Sequence, residues 1–284
     1  MNRRRFLSRA ALLPWILPAA RGQAGTHGPV RIGLTPVFLD DQAAFVDRWR
    51  GYLERRLGRL VVFVQRASYR EVSEQLLNGG VDFAWMCGYP YLRNRTQLRL
   101  LAVPLFQGRP LYQSYLIVPA TDTSTRNLVD LRARVFAYAD PNSNSGWLVT
   151  QAELRSMGED PGLFFRRSFF TWAHRKVVEA VGVGLAHGGA VDGYIWEALH
   201  RLHPELTERT RIVQRSQTFG FPPWVTRQGV DDEIFSDVQQ VLLGMNQDAE
   251  GLALLKELFL DGFSVQEEGL YDGIETLMQR AGLT

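Results

Sequence analysis

Short runs of β-branched and aromatic residues alternate along this chain with stretches in which apolar side chains recur at helical spacing. The first series predicts strands at Val30–Leu34, Leu60–Val64, Asp82–Met86 and Leu98–Phe106, and helices over Asp41–Leu57, over Tyr69–Leu77 and from Tyr89 onward. A second series predicts Val135–Ala139 as strand, Gly146–Met157 as helix, Ser168–Thr171 as strand, His174–Ala186 as helix and Asp192–Trp196 as strand. The strands are apolar nearly throughout, as strands covered on both faces are. Such β/α alternation implies an α/β fold whose sheets are mostly parallel and flanked by helices.

Two series imply two lobes. Between them lie Tyr112–Pro119 and the polar stretch Thr121–Asn127, which reads as the first crossover between lobes. The Phe-, Gly- and Pro-rich stretch Gln217–Pro223 reads as the return, ahead of two late helices at Asp231–Met245 and Glu267–Ala281. The expected division is residues 25–118 for the first part of lobe 1, 119–218 for lobe 2, and 219–284 for the return to lobe 1 with the C-terminal helices. Two connections leave a cleft that opens and closes on a ligand, with the carboxyl ends of the strands facing it.

The first 24 residues stand apart from this pattern. Arg3, Arg4 and Arg5 precede Phe6 and Leu7, an apolar stretch runs from Ala10 to Ala20, and small residues follow at Gly22 and Ala24. That is an export signal, expected to be cleaved after Ala24, and its arginine pair fits the twin-arginine route. A membrane anchor is the other reading, but the apolar core is short for a span and is broken by Pro14 and Pro18. Removing residues 1–24 takes away five arginines and no acids, which moves the formal charge from +2 to −3. No basic stripe is left for nucleic acid. Cys87 is the single cysteine, so no intramolecular disulfide is possible. The cleavage site carries no cysteine for a lipid, so a soluble, monomeric periplasmic protein without membrane insertion or cofactor is expected.

Candidate chemistry gathers at the predicted strand ends. Asp140-Pro141-Asn142-Ser143-Asn144-Ser145-Gly146 follows a strand and opens a helix. Its hydroxyl and amide donors, with the N–H groups of the helix start, can form an anion cradle; simple N-capping explains the same residue types. Thr35-Pro36, Cys87-Gly88-Tyr89-Pro90-Tyr91 and Thr171-Trp172-Ala173-His174 end other strands. His174 is a candidate donor that would bind an anion better once protonated in mild acid. Tyr69 and Tyr91 are candidate wall residues, and Asp192 and Tyr194 would line the cleft from the second lobe. Convergence is what matters here, because a tetrahedral oxyanion needs donors from several directions.

Enzyme signatures are missing. There is no His-Glu-x-x-His pair, no Gly-x-x-x-x-Gly-Lys-Ser/Thr loop and no Gly-x-Ser-x-Gly elbow. His200 and His203 have a spacing that suits a metal, or a solvated helix face.

Taken in order, several segments resemble the periplasmic phosphonate/phosphite/phosphate-binding proteins of ABC importers. They are Ser68-Tyr69, Asn78-Gly79-Gly80-Val81-Asp82-Phe83-Ala84-Trp85 with Gly88 and Tyr91, Asp140 to Gly146, and His174 ahead of Val177, Val178, Ala180 and Val181. The resemblance implies a type II periplasmic-binding-protein fold and a permease partner. It also implies a ligand held by Ser143, Asn144, Ser145, His174, Tyr69 and Tyr91. Where relatives that take aminoalkylphosphonates place an acid near the histidine, this chain has Arg175, which points to a compact anion. Cys87 is a second departure. It reads either as a small apolar filler or as a thiol ligand, by analogy with arsenite sensors that signal to the periplasmic domain of a membrane histidine kinase.

Overall fold

The computed structural model describes residues 28–35 and 43–283; the expected export signal and cleavage site, and Pro36, lie outside the described residues. The chain runs β1 (Val30–Leu34), α1 (Ala43–Leu57), β2 (Val61–Gln65), α2 (Tyr69–Leu77), β3 (Phe83–Trp85), α3 (Gly88–Arg93) and β4 (Leu98–Leu105). It then enters a second lobe with β5 (Leu111–Pro119), β6 (Val135–Tyr138), α4 (Val149–Ser156), α5 (Pro161–Phe164), β7 (Arg167–Phe170) and α6 (His174–Gly182). That lobe finishes with β8 (Gly188–Asp192), α7 (Gly193–Leu202), α8 (Pro204–Thr207) and β9 (Thr210–Gly220). The return brings β10 (Trp224–Arg227), α9 (Asp232–Gly244), α10 (Ala249–Glu257), β11 (Gly262–Ser264) and α11 (Asp272–Arg280).

Two sheets result, ordered β11-β4-β10-β3-β1-β2 and β7-β6-β8-β5-β9. Both are mixed, where mostly parallel sheets were expected. The βα units pair in parallel, β1 with β2 and β3, and β6 with β7 and β8. The strands next to the crossovers pair antiparallel, β10 with β3 and β4, and β5 with β8 and β9. A strand arriving from the other lobe without a crossover helix has no need to enter in parallel.

The first crossover is at residues 106–110, earlier than expected, because β5 is already built into the second sheet. Thr121–Asn127 is instead a surface turn within lobe 2. Asp122 organises it by accepting from the Ser124 and Thr125 amides and the Thr125 hydroxyl, and Arg211 of β9 donates to the Asp122 and Thr125 carbonyls. The return runs through 221–223, and the Phe221 amide donates to Pro110 O at 2.8 Å, which sets the two connections side by side.

A second correction concerns 192–196, predicted as strand. The strand stops at Asp192, whose carboxylate accepts from the Tyr194 and Ile195 amides and caps α7. Tyr194 therefore sits in the first turn of a helix. Gly193 allows this start: a Cβ there would lie 2.8 Å from the Tyr115 ring and 2.9 Å from Gln113 O.

The main core is continuous across both lobes. In the first lobe Trp49 of α1 packs edge-on to Trp85 and Trp224, with ring centroids 6.1 and 5.5 Å apart. The second lobe adds an aromatic cluster of Phe136, Tyr138, Phe164 and Phe165. The C-terminal α11 straddles the lobes, packing on α3 of the first and on α4 and β9 of the second. Its buried face is Ile274, Leu277 and Met278.

Candidate functional site

The turn after β6 is built by its own side chains. The Asp140 carboxylate accepts from the Asn142 amide at 2.7 Å, and the Ser143 amide donates back to Asp140 O. Ser143 then caps a π-helical turn, Asn144–Leu148: its hydroxyl oxygen accepts from the Gly146 amide at 2.9 Å, and Leu148 N donates to Ser143 O at 3.0 Å. From β5, the Ser114 hydroxyl donates to Ser145 O at 2.7 Å and fixes the turn from below. Gly146 is required by close approach. A Cβ there would lie 2.5 Å from the Ala139 Cβ and 2.9 Å from His174 Cε1.

His174 is delivered by a strained link. Trp172 adopts a left-handed φ of 66°, and its amide donates to Ala139 O at 2.7 Å, locking the end of β7 to the start of the cradle. His174 follows as the first residue of α6 and is buried. Its Nδ1 accepts from the Asp192 amide at 3.0 Å, so that nitrogen carries no proton and Nε2–H is the donor. Nε2 lies 3.2 Å from the Tyr69 hydroxyl oxygen. Burial holds the ring neutral, with its pKa pushed down to about 3. The expected gain of affinity from protonation in mild acid therefore does not apply.

Lobe 1 reaches across the cleft with α2 and α3. The Tyr69 amide donates to Asp140 Oδ2 at 3.0 Å, and Ser68 caps α2 just before it. Cys87 Sγ accepts from the Asn144 amide at 3.3 Å, and the Tyr89 ring stacks on Trp147. Burial pushes the Cys87 thiol up to about 11, so it stays protonated. Among the described residues no group of three or more His, Cys, Asp and Glu side chains could hold a metal, and His200 bonds to Thr207 and stacks on Trp196.

The predicted residues divide into three sets. Ser143, Asn144, Ser145, His174, Tyr69 and Cys87 come together in one buried cluster. Thr35 and Asp192 sit beside it in supporting positions: the Thr35 hydroxyl donates to Trp85 O, and the Asp192 side chain caps α7. Tyr91 shares none of these hydrogen bonds: its ring is edge-on to Tyr271 and its hydroxyl is buried without a partner. In its place the structure brings Tyr112, whose hydroxyl oxygen accepts from Asn144 Nδ2 at 3.0 Å. Strand periodicity puts Tyr112 and Ser114 on one face of β5, a signal that points at the cradle only once β5 is known to lie in lobe 2.

The chemistry of the cluster follows from which protons are left over. The oxygens of Tyr69, Tyr112 and Ser143 already accept from His174, Asn144 and Gly146, so each hydroxyl proton is free to donate outward. Ser145 Oγ is buried beside the Tyr112 hydroxyl and makes no hydrogen bond of good geometry. Burial raises the pKa of both phenols, which keeps their protons in place. Such a set can bind and orient an anion, and the Ser145 hydroxyl has no base in contact to make it a nucleophile.

Comparison with known proteins identifies the family and the fold. The family model for the periplasmic substrate-binding proteins of ABC phosphonate transporters matches residues 32–271. A phosphate-import protein, PhnD, of Mycolicibacterium smegmatis is 32% identical over 111 residues; the match covers 37% of this chain and spans 35% of that relative's length. A binding-protein component of an ABC phosphonate transporter from Pseudomonas aeruginosa superposes with a TM-score of 0.82 at 19% identity, over 90% of this chain and 87% of the other. PhnD1 from Prochlorococcus marinus, solved with methylphosphonate, gives 0.81 at 17% identity, over 90% and 99%. At these identities the structures establish the fold, that of type II periplasmic binding proteins. With the family match running from β1 to the start of α11, the chain belongs to the periplasmic substrate-binding proteins of ABC phosphonate transporters.

Proposed function

We propose that this chain captures a small phosphorus oxyanion, a phosphonate, phosphite or phosphate, and presents it to the permease of an ABC importer without altering it. The observation that carries this reading is the buried, partnerless Ser145 hydroxyl amid three others whose protons are unclaimed. The proposed contacts are Ser143, Asn144, Ser145, Tyr69 and Tyr112, with His174 acting through Tyr69. Micromolar binding requires about 8 kcal/mol net. Four hydroxyl donors to an anion at roughly 1.5–3 kcal/mol each reach that range before the cost of closing the lobes.

Export by the twin-arginine route, cleavage after Ala24 and action as a periplasmic monomer belong to the same proposal. Among the described residues no helix is long and apolar enough to cross a membrane. The sensor alternative is not favoured. The family is one of transport components, and the thiol on which that alternative rested is buried, protonated and bonded to the Asn144 amide.

Calorimetric titration with phosphate, phosphite and methylphosphonate tests the reading. At least one is expected to bind, and Ser145→Ala is expected to weaken it by about 1.5–3 kcal/mol while leaving the melting temperature close to wild type. Failure of all three to bind, or an affinity indifferent to Ser145→Ala, removes the basis for the proposal.

A further inference from the structure

We propose that the site takes its ligand with one proton still on the oxyanion, and that Asn144 Oδ1 receives that proton. The inference rests on the oxyanion reading above and narrows its ligand class. Asn144 is fully buried at the centre of the cradle. Its backbone amide is committed to Cys87 Sγ at 3.3 Å, and its side-chain Nδ2 donates to the Tyr112 hydroxyl at 3.0 Å. That leaves Oδ1, which is buried and has no donor. A buried acceptor without a partner is destabilising, and every neighbouring hydroxyl proton is better used on the anion.

A fully deprotonated oxyanion brings only lone pairs and would place a second acceptor against Oδ1. An oxyanion bearing an O–H satisfies it. The partnerless donor on Ser145 and the partnerless acceptor on Asn144 then match two faces of one molecule, a P–O⁻ and a P–OH.

The charges around the site agree. The groups facing the cluster are the neutral His174, the Tyr69 and Tyr112 phenols, the Cys87 thiol and two buried carboxyls, Asp140 and Asp192. Arginines stop at its edge, where Arg93 donates to Asn142 Oδ1 at 3.4 Å and Arg70 acts on Asp140 through space. A desolvated site with acidic neighbours and neutral donors suits a single negative charge. The class selected is thus alkylphosphonate or phosphite as a monoanion, each with a single O–H; sulfate and alkylsulfonates, which have no proton to offer, are rejected.

The decisive comparison is methylphosphonate against methanesulfonate in a mildly acidic buffer. There each carries one negative charge, and the two differ by a single proton. Calorimetry of the wild-type protein is expected to show methylphosphonate binding about 10- to 100-fold tighter. In Asn144→Ala the gap is expected to close to about threefold or less, through loss on the phosphonate side. Equal binding of the two anions by the wild type overturns the inference while leaving the oxyanion reading intact. So does a gap that persists in a folded Asn144→Ala protein. Absence of any binding by phosphate and methylphosphonate overturns both.

Discussion

Two tyrosines near the cleft look alike in sequence and differ in what their hydroxyls can reach. The Tyr112 oxygen accepts from Asn144 Nδ2, which leaves its proton free, whereas the Tyr91 hydroxyl is buried without a hydrogen-bond partner beside Tyr271. Tyr112→Phe is therefore expected to weaken methylphosphonate binding by about 1.5 kcal/mol or more, or about tenfold. Tyr91→Phe is expected to leave it within about twofold. Titrations of the two variants that came out in the reverse order would return Tyr91 to the site. The serine-rich turn, His174 and Tyr69 were legible because their residue types and their place at strand ends already limit what they can do. Tyr112 was not, since an aromatic in an apolar strand gives no sign of which sheet the strand will join. The state of His174 was equally hidden: burial keeps it neutral, and its tautomer depends on the Asp192 amide reaching Nδ1 at 3.0 Å, a contact between residues 18 apart in sequence.

At the scale of elements, the link from β6 through the π-helical turn to α4 has no slack. Gly146 sits against the Ala139 Cβ and the His174 ring, and neither is the free end of a flexible side chain. Gly146→Ala is expected to destabilise the protein by about 1–3 kcal/mol and to abolish anion binding, read by thermal melting and titration. A variant that melts and binds as wild type does would show that the turn relaxes easily. Most strands and helices were legible from hydrophobic period alone, as in α2, where Tyr69, Val72, Ser73 and Leu76 form the buried face. The failures came where one residue decides. Asp192 ends a β-like run by capping the next helix, and a strand-like period that continues past it conceals the switch. The first crossover was misplaced for a related reason: β5 is apolar enough for either sheet, and its partner is chosen by tertiary pairing with β8 and β9.

For the whole molecule, two buried groups give stability an opposed dependence on pH. Burial raises the Asp192 carboxyl from 3.8 to about 7 and lowers His174 from 6.5 to about 3. The folded chain keeps a proton on Asp192 that the unfolded chain releases, so this contribution is present below 3.8 and lost as pH rises through about 7. His174 behaves in the opposite sense: its contribution is present above 6.5 and lost as pH falls through about 3. Between 3.8 and 6.5 the two slopes, each about 1.4 kcal/mol per pH unit, offset one another. Asp192→Asn should therefore lose stability on acidification below pH 6.5, and His174→Gln should gain it over the same range. Melting curves across this window that run parallel for both variants and the wild type would refute the pairing.

The position of α11 bears on how far such a molecule can gape. Two adjacent connections at 106–110 and 221–223 would alone permit wide swings, but this helix lies over both halves and keeps Ile274, Leu277 and Met278 dry against them. Spreading the halves must strip water-shy surface from one side of the helix, a penalty that climbs with every degree. Such a helix is expected to hold the protein to a narrow gape, so that a passing anion needs only a short travel of the jaws to be enclosed.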